Sequence, residues 1–288
     1  MNRLKSFAFR YPLVFSIGVM IPSVLLTEIH LENFLSNYVD FQNASYMTGI
    51  FEQGLVSLLL AMLIFGLGMQ RESGFTPWRE WKQVWLIWPL LIFSALNIDE
   101  GVLNGSNPID LTHPERIVLL VLLFASVGFI EEILFRGLIL PLMLKKWGSS
   151  RGGIYLSVLL SSSIFGLLHL INFFMGRYTL LSTLAQITFG TFFGVFFAAC
   201  FLRTRSIWPV IFTHALFDLC GNLNEITLNS HFGKVQETTL QGALVVVAVT
   251  LPLLLYGLFI LRKVEPNHVM DSGGNKGGVV HSEALLNS

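Results

Sequence analysis

The chain has 288 residues, 53% of them hydrophobic and only 12% charged, with 18 basic and 18 acidic side chains, a formal net charge of zero and a mean hydropathy of +0.66. Soluble domains carry about 25% charged residues, so a surface this poor in charge excludes a water-soluble globule, and a nucleic-acid partner is excluded because no dense basic face is present. What remains is an all-α, polytopic transmembrane helix bundle whose partner is the lipid bilayer.

A helix needs about 20 mostly apolar residues to cross roughly 30 Å of hydrocarbon, and eight segments meet or approach that length. Arg3, Lys5 and Arg10 precede an apolar run over 11–29. The run is long for a signal peptide, and Thr27-Glu28-Ile29-His30 is a poor cleavage site, so it is expected to stay as the first span. The next are 49–69, 83–98 (short, tilted or partly interfacial), 116–147 (long enough to continue past the membrane), 153–172, 179–202, 206–223 and 239–262. Between the second and third, 74–82 sets Trp78 and Trp81 among charges, a pattern suited to the interface. Gly190 and Gly194 form a GxxxG in the sixth span, which either permits close helix contact or is chance in an apolar helix. Cys200 and Cys220 read as small buried hydrophobes, with no disulfide or zinc framework. From this pattern, 1–265 is a single transmembrane domain and 266–288 a flexible, glycine-rich cytoplasmic tail.

Charge distribution tests the span assignment independently, because Lys and Arg collect in cytoplasmic loops. With the N-terminus inside, the inner segments hold 14 basic residues: Arg3, Lys5, Arg10, Arg71, Arg79, Lys82, Lys145, Lys146, Arg151, Arg203, Arg205, Arg262, Lys263 and Lys276. The outer loops hold three, Arg116, Arg177 and Lys234, and the remaining one, Arg136, falls inside a span. Eight spans with both termini cytoplasmic fit this alternation, and adding or removing one span scrambles it. The compact loops and the lack of organelle signals favour a bacterial cytoplasmic membrane.

Ionisable groups at membrane depth are expensive and point to function. Three clusters stand out. In Glu131-Glu132-x-x-x-Arg136, Glu132 and Arg136 are four apart and share a helix face. Glu131 points about 100° away, so it stays free while Arg136 neutralises Glu132. Desolvation disfavours charge on a carboxyl group, which suits it to general acid/base work. The bland reading is a packed salt bridge, which does not account for the second acid. In the next span Phe165 and His169 lie on one face, and a lone His there can simply bond a neighbouring helix. In the seventh, His214 and Asp218 share a face with Asn222 one turn on, as an oriented His, a ligand pair or a structural bond. At 1.5 Å per residue, Glu131 and His169 lie at similar depths, roughly 22–24 Å from the inner ends of their spans, but His214 only about 12 Å. One site therefore requires the seventh helix to be tilted or to start earlier, or the fourth to bend at Gly137 and Pro141.

Glu-Glu-x-x-x-Arg, then Phe-x-x-x-His, then His-x-x-x-Asn/Asp on successive membrane helices resembles the CPBP family of CAAX proteases and bacteriocin-processing (Abi) enzymes. The resemblance covers about 115–222. It implies a helical bundle around a polar intramembrane cavity and metal-independent peptide-bond hydrolysis, with no cofactor. Carried over, Glu131 would activate water, His169 would help hold or deprotonate it, and His214 with Asp218 would stabilise the oxyanion. Glu132, Arg136 and Phe165 would support the site. Asp218 departs from the Asn common at this position. An ionised Asp cannot donate to an oxyanion, so Asp218 would orient His214 or be protonated, or Asn222 would take the donor role. The substrate implied is a membrane-associated protein or peptide, with the bacterial setting favouring an unprenylated one. The rivals are a zinc hydrolase using Glu131, His169, His214 and Asp218 as ligands, a non-catalytic scaffold or regulator of membrane proteins, and a transporter or proton relay.

Overall fold

The computed structural model describes residues 2–75 and 81–266. Most of the segment 74–82 and nearly all of the 266–288 tail, including Trp78, Arg79 and Lys276, therefore lie outside the described residues.

The described residues are helical, joined by turns, with two isolated β-bridges. We number the main helices α1 (Asn2–Arg10), α2 (Pro12–Leu26), α3 (Phe41–Leu67), α4 (Trp85–Leu96), α5 (Pro114–Trp147), α6 (Arg151–Phe174), α7 (Leu180–Thr204), α8 (Trp208–Gly221) and α9 (Leu240–Leu261). Each predicted span overlaps one of α2 to α9, with the helix at the second starting eight residues earlier than expected, at Phe41 rather than 49. Their starts follow local chemistry: the side chains of Asp40, Ser150, Thr179 and Thr239 each accept a backbone N–H of the following first turn. Pro12, Pro114 and Pro209 open α2, α5 and α8, where a missing N–H costs nothing.

Among the described residues five helices, α3, α5, α6, α7 and α9, are long and apolar enough to cross a membrane, and α1 with α2 adds a sixth if that pair, bent by 109°, is one span. Eight full-length spans are thus not what the helix lengths give. α4 falls short because it is a 12-residue apolar stretch assembled from a 3₁₀ turn and a short helix, and α8 is only 14 residues long. Outward-facing Leu58, Met62, Phe65, Leu244, Leu255 and Phe259 present the apolar surface that lipid requires. The protein is an integral membrane protein.

Loop contacts sort the chain into two ends. At one, Lys146 donates to Arg10 O, Lys145 pairs with Glu72, Arg151 donates to Arg262 O, and Arg203 donates to Gln83. At the other, Arg177 pairs with Glu28, Arg116 with Asp40, Gln42 donates to Glu225 O, and Thr179 N to Gln236 O. The loops grouped by charge as inner share the first end, and those grouped as outer share the second.

Small residues let the inner helices approach closely. A Cβ on Gly194 would stand 2.8 Å from Ser162 Cβ, and one on Gly166 would stand 2.6 Å from Ile187 O and strike Thr191 Oγ1. The GxxxG is therefore a contact surface between α6 and α7. The core around it is aromatic and aliphatic, with Phe135, Phe165, Phe193, Phe196 and Phe197 buried. Cys200 is buried and Cys220 half-buried, and both are free thiols.

Candidate active site

α5 changes register in its middle. Residues Ile133–Ile139 form a π-helical stretch between α-helical flanks. Pro141 has no N–H to give to Gly137 O, and the hydroxyl of buried Ser73 donates there instead, at 2.5 Å. Glu131 and Glu132 end the α-helical part, and Arg136 sits within the π stretch, as π-bulges at functional sites often place polar groups.

Glu132 is fully buried. Its Oε1 lies 2.8 Å from Arg136 Nη1, the pairing expected from spacing, and also 2.8 Å from His214 Nδ1 on α8. Glu132 Oε2 has no hydrogen-bond partner among the described residues. Arg136 also donates to Gly194 O at 3.2 Å, and its guanidinium lies over the rings of Phe165 (4.7 Å) and Phe197 (5.2 Å). A charge held in the interior needs this degree of pairing to be tolerated.

The His214 ring is fixed from two sides. Its Nδ1 faces Glu132, and Phe197 stacks on it with centroids 5.0 Å apart and 24° between planes. This leaves Nε2, which lies 3.5 Å from Glu131 Oε2 and 3.4 Å from Asp218 Oδ2. α8 does not start earlier than expected, since its first residue is Trp208. Buried Ile207 precedes it, with its N–H bonded to Gly74 O, so the start of α8 is anchored to the connection between α3 and α4. Gly128 of α5 lies against Ala215 and Ile211 O of α8, and this crossing brings the acids to the His.

His169 stands apart from that group. Its Nδ1 lies 3.1 Å from Phe165 O, its ring packs near Gly190, and the Phe165 ring meets it edge-on at 5.2 Å and His214 at 5.9 Å. No bond joins His169 to Glu131 or His214 among the described residues; the two nonetheless share a wall. A cavity of ≈ 450 Å³ opens toward the end where α2 finishes and α3 begins, with Glu131 and His169 both in its lining. Asn222 turns its amide back to Asp218 O at 2.8 Å, closing the end of α8.

Sequence reasoning singled out eight of these residues, Asn222 included, but missed Phe197, whose stacking has no local signature, and the Glu132–His214 bond. It also gave Asp218 the possible task of orienting His214, a position that Glu132 occupies at Nδ1. Among the described residues no group of three or more His, Cys, Asp or Glu side chains is arranged to hold a metal ion.

Comparison with known proteins bears on this region. Residues 113–220 match the family model described as Rce1-like, type II CAAX prenyl endopeptidase Rce1-like. No curated protein and no solved structure gave a match. The matched segment runs from the start of α5 to the end of α8 and contains Glu131, Glu132, Arg136, Phe165, His169, His214 and Asp218, but not Asn222. Over residues 113–220, somewhat over a third of its length, the chain thus carries a domain that matches the Rce1-like CAAX endopeptidases.

Proposed function

We propose that the protein is a membrane-embedded endopeptidase of the glutamate type, cutting a peptide bond of a membrane-associated protein or peptide. The observation that carries this reading is the meeting of Glu131, His214 and Asp218 within 3.5 Å, with Glu131 and His169 in the wall of one cavity. In this reading ionised Glu131 takes a proton from a cavity water that His169 helps to hold. The water oxygen attacks the scissile carbonyl carbon, and the carbonyl oxygen becomes an oxyanion. His214, with one nitrogen committed to Glu132, donates from Nε2 as an imidazolium, a donor aimed at developing charge in a water-poor site. The proton on Glu131 then passes to the amide nitrogen, the C–N bond breaks, and a carboxyl group and an amine leave. Asp218 beside Nε2 keeps the imidazolium charged, and Glu132, Arg136 and Phe165 hold the frame. No cofactor enters this scheme. The end bearing the basic loops faces the cytoplasm in this reading, with both termini on that side.

Glu131→Gln is the test. The parent should cleave members of a library of membrane-tethered peptides, with and without a zinc chelator, while the variant, equally folded, loses activity by about 10²–10⁴-fold. Equal cleavage by both proteins removes Glu131 from the mechanism, and loss of parent activity on chelation favours the zinc hydrolase. If the parent cleaves nothing, the scaffold reading gains.

A further inference from the structure

The mouth of the cavity has chemistry that the proposed reaction leaves unused. Beyond Glu131 it is lined by Glu28, Glu32 and Glu52, from the end of α2, the turn after it and α3. Two of these acids have partners. Arg177 grips Glu28 with two nitrogens, at 2.9 and 2.6 Å, and His30 Nδ1 lies 2.9 Å from Glu32. Glu52 has no ion pair with Lys or Arg among the described residues, and the nearest group that can carry positive charge is His30, already paired with Glu32. It is only 3% exposed, its Oε1 accepts the backbone N–H of Ile29 at 3.2 Å, and its Oε2 meets no donor among the described residues. One turn earlier on the same helix, Thr48 is 4% exposed, lines the same cavity, and has a hydroxyl with no hydrogen-bond partner.

A carboxylate buried without a cation is costly, and a buried hydroxyl without a partner adds to that cost. Both are relieved by one incoming group that carries positive charge and several donors. An ammonium meets this description, with three N–H donors on a compact charge. A guanidinium binds a carboxylate best through a fork to both oxygens, and Oε1 of Glu52 already accepts Ile29 N–H, so the site favours the compact ammonium. We propose that the cavity mouth is an ammonium subsite, in which Glu52 and Thr48 receive a lysine side chain or free N-terminal amine of the peptide whose bond is presented to Glu131. This assignment of substrate chemistry rests on the endopeptidase reading, but its binding component is measurable without turnover.

The probes are acetylated octapeptides with one scissile bond replaced by a reduced, uncleavable linkage. One residue is scanned along the peptide as Lys, Arg or neutral norleucine, and one version has a free N-terminus. Affinity is measured for the detergent-solubilised parent and for Glu52→Gln, which keeps the acceptor for Ile29 N–H. At one or more positions Lys, or the free amine, should bind about tenfold tighter than norleucine and tighter than Arg. The preference should shrink with added salt and vanish in Glu52→Gln, with norleucine affinity unchanged. Equal affinity of Lys and norleucine at every position of the parent overturns the subsite, whether or not the variant folds. Displacement of the Lys peptide by micromolar calcium or magnesium overturns it in favour of a metal site. Parallel digests of the normal amide peptides with parent and Glu131→Gln separate the two ideas. Equal affinities with Glu131-dependent cleavage sink the subsite alone, and Lys-selective binding without such cleavage sinks the protease alone.

Discussion

Glu132 shows what a residue's neighbours add to its sequence context. Its pairing with Arg136 was legible from the four-residue spacing. Its bond to His214, 82 residues away, was not, because only the crossing of α5 and α8 makes it. The two partners converge on one oxygen in a site that water does not reach. Glu132→Gln should therefore leave Arg136 as an uncompensated buried charge and cost about 3–5 kcal/mol, read as a large drop in thermal midpoint in detergent. Phe197→Leu removes the stacking surface from His214 and one ring from under Arg136 while keeping bulk. We expect proteolysis to fall through kcat with little change in KM, because the face of His214 is freed but the cavity is untouched. Glu225 offers a test by pH. It lies beyond α8, where burial raises its pKa above the usual carboxylate range, while the hydrogen bond from Tyr46 Oη opposes the shift. A carboxyl group whose folded pKa is raised stabilises the fold most when protonated and loses that contribution as pH rises through the folded value. Glu225→Gln should thus raise the melting temperature relative to the parent at pH 8, with the difference shrinking toward pH 5.

Among the elements, α5 and α8 depart furthest from a reading of apolar runs. Hydropathy marked both but could not show that α5 changes register over Ile133–Ile139 or that α8 begins at a buried turn. The proline at 141 hinted at the first, and the consequence is visible only in Ser73, which comes from the α3–α4 connection to bond Gly137 O. Ser73→Ala leaves that carbonyl unpaired in the interior and should cost about 1–3 kcal/mol. Circular dichroism would report unchanged helix content alongside a lower melting temperature. For α6 and α7 the GxxxG was readable as an option, and the opposing Gly166 and Ser162 decide it. Gly166→Val puts side-chain atoms into Ile187 O and Thr191, so the helices must separate. Activity should be lost with His169, which packs by Gly190 in the same contact.

For the whole molecule, a rule about charge foresaw the grouping of loops better than hydropathy foresaw the number of full-length spans. Positive residues sort by loop because translocation selects against them, so their alternation records the path of the chain. Length per span is a weaker guide, since a helix packed inside the bundle need not reach both faces of the bilayer, as α4 and α8 show. The cavity was legible only as an implication of the family resemblance, and its acids at 28, 32 and 52 come from segments outside that resemblance. Single cysteines at Ser150 and Ser230, at opposite ends, should differ in labelling by a membrane-impermeant thiol reagent on intact cells, with Ser230→Cys reacting and Ser150→Cys protected. The reverse pattern inverts the orientation.

The glycine-lined crossing of α6 and α7 also determines where the molecule can yield. Backbones this close, with only small side chains such as Ser162 and Thr191 between them, cannot slide past one another or roll without collision, so this pair acts as a keel. Any breathing that admits a bulky guest must then be borne by the opposite side of the cavity, where α2 meets its neighbours over shorter stretches. In hydrogen–deuterium exchange, amides of α6 and α7 should be the last to exchange and those of α2 among the first.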